Sequence, residues 1–346
     1  MDKQLIHTGI LSFGMSGRVF HAPFIHSNPH FKLSAVVERS NKVAHNHYPN
    51  IKSYDSVAEL LKDDSIELVI VNTPNHTHFE LAAEVLAAGK HVLLEKPAVE
   101  RSAELEELAL ISARTGKKLF FYQNRRYDSH FLAVKDVIDR GVLGKILEVH
   151  IRFDRYKMEL GQKDFKENSS YTSSGLVYDL GPHVVDQAIS LFGKPQKVIK
   201  TTAMNRINSV VPDYFNFHLR YADNLQVFLT GSLLVADPQP AYVLHGTTGS
   251  FTKPMADVQE KQLMDGLLPT DPAYGIEADN DAGRLVTIAE DGTKETAFLP
   301  AFKGDYNLLF NAIYANLRNN TPYPITLDSI KWQLEVLEAP NFNAAD

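Results

Sequence analysis

The sequence predicts an α/β Rossmann domain, a doubly wound parallel sheet, followed by an α+β C-terminal domain with a large, mostly antiparallel open sheet. Up to about Gln123, short apolar runs alternate with amphipathic stretches, the pattern of a parallel sheet covered by helices. A glycine-containing loop follows the first apolar run, as phosphate-cradling loops do. After Gly144 the rhythm changes to long β-rich runs with few helices between them. The expected domains are residues 1–123 and 124–346, with the final helix free to pack back on the first domain.

In the first half the strands are read at Ile6 to Ser12, Leu33 to Glu38, Leu68 to Asn72, His91 to Glu95 and Leu119 to Tyr122, each dense in Val, Ile or Leu. Helices from His78 to Ala88 and from Ser102 to Thr115 end at Gly89 and Gly116, residues that accept a left-handed C-cap. In the second half the strands are Ile146 to Phe153, Val198 to Met204, Tyr214 to Tyr221, Leu225 to Leu234 and Tyr242 to His245. One helix, about Asp179 to Phe192, interrupts them. Residues 257–281, rich in Asp, Gly and Pro, read as a long excursion, and helices return near Asp305 to Arg318 and Leu327 to Glu338, the last stopped by Pro340.

Composition narrows the function. With 346 residues, 44% hydrophobic and 22% charged, the chain is globular and long enough for two cores. Lys plus Arg is 35 against 42 acids, a net charge of -7, and no basic stripe carries interleaved aromatics, so nucleic acid is not an expected partner. Zero cysteines exclude disulfides, thiolate zinc sites and cysteine nucleophiles. Met1-Asp2-Lys3-Gln4-Leu5 lacks the basic and apolar run of a signal peptide, and no stretch approaches the ~18 apolar residues of a membrane span. A cytoplasmic protein with no membrane partner is expected, and a chain that starts almost at its first strand is expected to hold an exchangeable cofactor.

The first strand runs into Ser12-Phe13-Gly14-Met15-Ser16-Gly17, a G-x-G-x-x-G fingerprint with serine in its first glycine place. Gly14 lets backbone approach a pyrophosphate, and Gly17 lets the following helix, which begins with Arg18 and Val19, pack on the sheet. Its helix N-terminus offers N–H groups to the anion. A purely structural tight turn is the plainer alternative. Glu38, about 20 residues on, suits the ribose hydroxyls of NAD. Adjacent Arg39 and Ser40 suit a 2′-phosphate, or Arg39 simply points to water; the cofactor is NAD or NADP, with Glu38 tipping the balance to NAD.

Glu95-Lys96-Pro97 stands at the carboxyl end of a parallel strand, where open α/β sheets bind ligands. There a lysine can stabilise charge on a hydroxyl becoming a carbonyl, or be only a solvated strand end; the proline isomer stays open. Asp179 and His183, four apart around Gly181-Pro182, face one way and suit proton removal from a secondary alcohol. A capping pair is the bland reading, and a metal site lacks a third ligand. His76 and His78 are two apart and form no ligand pair, but Thr73-Pro74-Asn75 closes the Leu68 strand and places His78 near the cofactor. Asn124-Arg125-Arg126-Tyr127-Asp128 either reaches a polyhydroxy substrate or is a solvated charge run.

These residues, in this order, resemble the glucose-fructose oxidoreductase, inositol dehydrogenase and rhizopine catabolism (Gfo/Idh/MocA) family. The resemblance runs from the Gly14/Gly17 loop through Ala87-Ala88-Gly89-Lys90-His91-Val92 and Glu95-Lys96-Pro97 to Tyr178-Asp179-Leu180-Gly181-Pro182-His183. It implies a dehydrogenase of sugars or polyols using NAD or NADP, with dimers or tetramers formed through the C-terminal sheet. It implies Lys96 as the catalytic lysine, and Asp179 and His183 as the substrate-binding and proton-transferring pair. Gly17 to Pro23, Asn124 to Asp128 and Phe153-Asp154-Arg155-Tyr156 are similar to the branch with NADP-dependent scyllo-inositol dehydrogenases, which adds Asn124, Arg155 and Tyr156 as substrate candidates. Ser12 and Glu38 depart from that branch, and Asn341 to Asp346 does not resemble the longer ending of relatives. Two other classes share such a fold: a nicotinamide-binding regulator without turnover, and an enzyme that oxidises transiently during elimination or glycoside cleavage.

Overall fold

The computed structural model describes residues 5–300 and 302–342. The chain divides into two compact units, each assembled from more than one segment. The first holds residues up to Asn124, together with Gln259–Tyr274 and Asp305–Leu327. The second holds Arg125–Val258, Gly275–Gly304 and the residues from Asp328 on. Residues 343–346, in the divergent ending, lie outside the described residues.

The first unit is a six-stranded parallel sheet made of β1 (Ile6–Ile10), β2 (Phe31–Val37), β3 (Lys52–Tyr54), β4 (Leu68–Val71), β5 (His91–Leu94) and β6 (Leu119–Phe121). Their order is β3-β2-β1-β4-β5-β6, the doubly wound arrangement. The central β4 is buried along its length, which is why it reads as the unbroken run Leu-Val-Ile-Val. Helices α1 (Ala22–Ser27), α2 (Ala44–His47), α3 (Val57–Leu61), α4 (His78–Ala87) and α5 (Ser102–Thr115) connect the strands. Gly89 and Gly116 adopt positive φ, as expected of residues that end α4 and α5. The three-residue β3 is too short to give a periodic signal and is not legible in the sequence.

The excursion at residues 257–281 contributes to this unit. Its α6 (Gln259–Met264) sits against the turn that follows the glycine loop. Gln259 Oε1 accepts both the Tyr274 hydroxyl and the Tyr306 N–H at 2.9 Å. Helix α7 (Asn307–Asn319) stacks Phe310 on Phe24, with ring centroids 5.6 Å apart. Arg318 grips Glu67 through two hydrogen bonds of 2.7 and 2.6 Å, and Tyr323 donates to the Phe121 carbonyl at 2.8 Å.

The second unit is built on eight strands: β7 (Ile146–Asp154), β8 (Lys197–Ala203), β9 (Tyr214–Arg220), β10 (Gln226–Ser232), β11 (Tyr242–Gly246), β12 (Gly249–Lys253), β13 (Gly283–Ile288) and β14 (Lys294–Leu299). Their order is β14-β13-β12-β11-β7-β10-β9-β8; only β7 and β10 run parallel. One face packs Val149, Ile151, Phe217, Leu219, Val227 and Leu229 into the core beneath helices. The other face stays polar, which gives β7 and β9 their alternation. Strands β12, β13 and β14 and the helix Ser129–Asp139 escape a reading based on dense Val and Ile runs. The expected single helix from Asp179 is two, α8 (Gly175–Asp179) and α9 (Gly181–Phe192), which meet at Leu180. The final helix, α10 (Leu327–Glu338), anchors within this unit: Gln333 Nε2 donates to the Pro182 carbonyl at 2.8 Å, and the helix ends before Pro340.

Candidate active site

The strand order of the first sheet reverses between β1 and β4, the switch point at which such sheets take ligands. Asn72 closes that point. The Ser12 N–H donates to Asn72 Oδ1 at 3.0 Å, and Asn72 Nδ2 donates back to the Ser12 carbonyl at 2.8 Å. Ser12 has no positive φ, so the missing glycine leaves the turn intact. Gly17 is dictated by packing, since a Cβ there would sit 2.1 Å from the Ser12 carbonyl oxygen. Gly14 is not: it is exposed, and its Cβ would meet nothing nearer than Ser12 Oγ at 3.6 Å. A glycine the fold does not need, on a loop before a helix start, fits the close approach of a pyrophosphate. Phe13 is buried beneath the loop against His47 and Tyr48, while Arg18 is exposed beside half-buried Val19.

Glu38 overturns the expectation placed on it. It is 5% exposed, with Oε1 accepting the Val43 and Ala44 N–H groups at 2.8 and 3.0 Å and Oε2 accepting the Ser53 hydroxyl at 2.7 Å. Its carboxylate caps α2 from inside the protein and is spent there. Arg39 and Ser40, next in the chain, are exposed.

Thr73, Pro74 and Asn75 are half-buried at the end of β4. His78, expected near the cofactor, is buried and braces two carbonyls of that neighbourhood. Its Nδ1 lies 2.8 Å from the Pro97 carbonyl and its Nε2 2.9 Å from the Thr73 carbonyl. Burial pushes its pKa down against those bonds and against the nearby Glu95 charge.

The Lys96–Pro97 peptide is cis. Half-buried Lys96 follows Glu95, whose carboxylate takes three donors: Ser16 Oγ at 3.0 Å and His21 Nε2 at 2.8 Å on Oε1, and the Lys96 N–H at 3.1 Å on Oε2. Burial alone would raise the Glu95 pKa, but the His21 bond and the charges of His21 and Lys96 hold it below the ordinary range. Asn124 is buried at the end of this segment. These groups all belong to the first unit, whereas Asp179, His183, Arg155 and Tyr156 belong to the second.

In the second unit Asp179 is the last residue of α8 and His183 lies in the first turn of α9, so the pair straddles a helix junction and does not share one helix. Asp179 Oδ1 accepts the Lys166 ammonium at 2.6 Å. His183 is 6% exposed, its ring 6.4 Å from that of Phe153. Arg155 and Arg125 hold their guanidinium carbons 5.0 and 5.3 Å from the Phe153 centroid, and Tyr156 is exposed. Arg126 is no solvated charge: it forks onto buried Asp186, with Nε to Oδ2 and Nη2 to Oδ1 both 2.7 Å. Asp186, Asn72 and His21 each escaped the sequence reading because nothing local marks a partner 60 or more residues away. Among the described residues no group of three or more His, Cys, Asp or Glu is placed to hold a metal, and no helix is long and apolar enough to cross a membrane.

Residues 6–123 match an oxidoreductase family with an NAD-binding Rossmann fold, and residues 131–252 match the GFO/IDH/MocA C-terminal domain. The chain is 33% identical to a scyllo-inositol 2-dehydrogenase (NADP(+)), IolW, of Bacillus subtilis over 96% of its length and 92% of that protein's. It superposes on a putative oxidoreductase of Bacteroides fragilis with a TM-score of 0.88 at 38% identity, covering 96% of both chains. It superposes on yvaA of Bacillus subtilis with a TM-score of 0.91 at 32% identity, covering 97% of this chain and 95% of that one.

Proposed function

Because the chain belongs to the Gfo/Idh/MocA oxidoreductase family, we propose that it moves a hydride between NADP and the carbinol or ketone carbon of a cyclic polyol of the inositol class. It is a dehydrogenase acting on CH–OH groups. The observation that carries the reading is Lys96, at the carboxyl end of β5 and one residue from a carboxylate bonded to the glycine loop.

When bound, the nicotinamide donates or accepts the hydride. The chain supplies the remainder. Gly14 and the helix start bind the pyrophosphate. Lys96 donates to the substrate oxygen and stabilises the charge it gains as its proton leaves. His183 takes that proton, and returns it in the reverse direction, while Asp179 orients the hydroxyls. Asn124, Arg155 and Tyr156 complete the recognition of the ring.

The choice of NADP rests on Glu38. The residue that would repel a 2′-phosphate is turned inward, and exposed Arg39 and Ser40 are left to receive one. The NADP-linked relative supports the same choice, and its name supports the inositol class. We also read the open face of the second sheet as the self-association surface of a homodimer or homotetramer; its β14 edge leaves Phe298 68% exposed.

The test is absorbance at the reduced-nicotinamide band while the protein meets inositols, inososes and aldoses with NADP and with NAD. A signal with one cyclic polyol and NADP is expected. Silence across the panel, with dinucleotide binding intact by calorimetry, would defeat the substrate assignment and favour a regulator or a transient oxidation.

A further inference from the structure

We propose that His21 and Glu95 form a buried positioning pair that locks the Lys96 turn to the cofactor loop, so that the aim of Lys96 and the seating of that loop are set by one carboxylate. The inference rests on the reading of Lys96 as the group that meets substrate oxygen.

The pair begins with a helical irregularity. Residues Gly17–His21 are wound as a π-helix, the Ala22 N–H reaching back to the Gly17 carbonyl. The wider turn shifts every later side chain around the axis, and such turns concentrate at functional sites. Here it leaves His21 fully buried, 4.5 Å from the Tyr122 ring, whose hydroxyl donates to the Phe20 carbonyl at 2.9 Å. The imidazole is boxed in on the side of β6 and directed at β5.

Its one described partner is Glu95. With Nε2 2.8 Å from a carboxylate oxygen, that nitrogen carries the proton, while Nδ1 is buried with no partner. The groups facing Glu95 are therefore His21 and Ser16 from the loop, the N–H and charge of Lys96 from its own strand end, and His78 as a Coulombic neighbour from α4.

A buried ion pair contributes little net stability, because desolvation offsets attraction. Glue alone would be served as well by packed apolar side chains. What this carboxylate joins is particular: the Ser16 hydroxyl on the loop that seats the pyrophosphate, and the backbone nitrogen of Lys96 itself. Removing its charge frees the lysine's backbone and takes away a Coulombic partner of the ammonium. A displacement of about 1 Å at a reacting group is enough to cost about a hundredfold in rate.

The experiment uses Glu95→Gln, His21→Gln and Ser16→Ala in the full chain, with two readouts. The first is the labelling rate of Lys96 by trinitrobenzenesulfonate at fixed pH, followed by peptide mass spectrometry, which requires no substrate. The second is steady-state turnover with saturating cofactor. We expect Lys96 in Glu95→Gln to label at least about threefold faster than wild type, since only the free amine reacts. We expect kcat to fall at least about tenfold with KM for the polyol nearly unchanged, and a variant combining Glu95→Gln with His21→Gln to be no worse than the poorer of those two singles. Ser16→Ala removes only the outermost donor and leaves the carboxylate's charge beside Lys96, so its labelling should stay near wild type while kcat falls less than in Glu95→Gln, and its turnover serves if either buried variant fails to fold. Unchanged labelling in a folded Glu95→Gln, or unchanged turnover in Ser16→Ala where Glu95→Gln does not fold, would overturn the positioning role. Changed labelling with unchanged turnover would uphold it and defeat instead the assignment of Lys96 as the catalytic residue.

Discussion

Asn72 and Ser12, 60 positions apart, hold each other by two reciprocal hydrogen bonds, N–H to Oδ1 and Nδ2 to carbonyl. The amide side chain imitates a strand neighbour at the point where the sheet's strand order reverses, and so fixes where the cofactor loop starts. Asn72→Ala leaves the Ser12 N–H without its partner, a loss of about 1–3 kcal/mol. Dinucleotide affinity should weaken by about tenfold or more by calorimetry, with kcat at saturating cofactor nearly retained. Unchanged affinity would show that the loop is held by other means.

The two glycines of the loop should behave differently. Gly17→Ala drives a methyl against the Ser12 carbonyl and should lower the unfolding midpoint sharply. Gly14→Ala meets only ordinary contact distances. It should unfold within a degree or two of wild type, about what a surface change produces, yet lose dinucleotide binding. A Gly14→Ala protein with normal affinity would remove that residue from the pyrophosphate site.

Cofactor choice can be separated from fold at Glu38. Glu38→Gln keeps an oxygen for the Val43 and Ala44 N–H groups but removes the charge that strengthens their bonds and forces the Ser53 hydroxyl to turn, so it should destabilise by about 1–3 kcal/mol while leaving the NADP to NAD ratio in place. Arg39→Ala should do the reverse, raising KM for NADP about tenfold, with NAD barely affected. A Glu38→Gln enzyme that gains NADP preference would restore the carboxylate to the ribose.

Breaking the Arg126–Asp186 fork should be costly. Both side chains are nearly excluded from water, and removing one strands the other's charge, which costs about 3–5 kcal/mol. Arg126→Ala should show that loss in denaturant unfolding, and Arg126→Lys should recover only part because ammonium cannot fork. A loss under about 1 kcal/mol would mean the pair is solvated in solution.

Acid should weaken the first unit through His91. Burial, then the charges of Lys117, Arg318 and Lys118, push its pKa down to about 4, while its Nδ1 accepts the Lys118 N–H at 2.8 Å. A histidine with a depressed folded pKa takes up protons more readily when unfolded, where its pKa is about 6.5. Its neutral form therefore favours the fold above that value, and the benefit is lost as the pH falls toward 4. His91→Asn keeps an acceptor for the Lys118 N–H and should flatten the fall in unfolding midpoint between pH 6.5 and 4. An equally steep fall would assign it to other groups.

Much of the frame was readable because local signals suffice for it. β4, β5 and β6 are dense apolar runs, and Gly116 ends α5 where a left-handed cap is needed. The glycine loop is marked by its spacing and Lys96 by its place at a strand end, whereas the four-residue interval of Asp179 and His183 does not reveal that a helix junction separates them. What stayed hidden depends on distant partners. Glu38 looks the same in sequence whether it faces a ribose or caps α2, since the fold decides by where it places the Val43 and Ala44 N–H groups and the Ser53 hydroxyl. His78 has a site-like neighbourhood and a bracing role because Pro97 lies behind it. β14 is exposed along most of its length at the sheet margin, where burial imposes no apolar pattern, and β12 buries a lysine, Lys253, paired with Glu277.

The first unit recruits Gln259–Tyr274 and Asp305–Leu327 from far along the chain, with Phe310 stacked on Phe24 and Tyr323 tied to the end of β6. During synthesis, the nascent sheet waits for those residues to leave the ribosome. At about 5–20 residues per second, that is an interval of many seconds in which the faces later covered by Phe310 and Tyr274 are open to chaperones. For the same reason, a fragment cut after Asn124 is a sheet with part of its cover missing, and would be expected to aggregate when expressed alone.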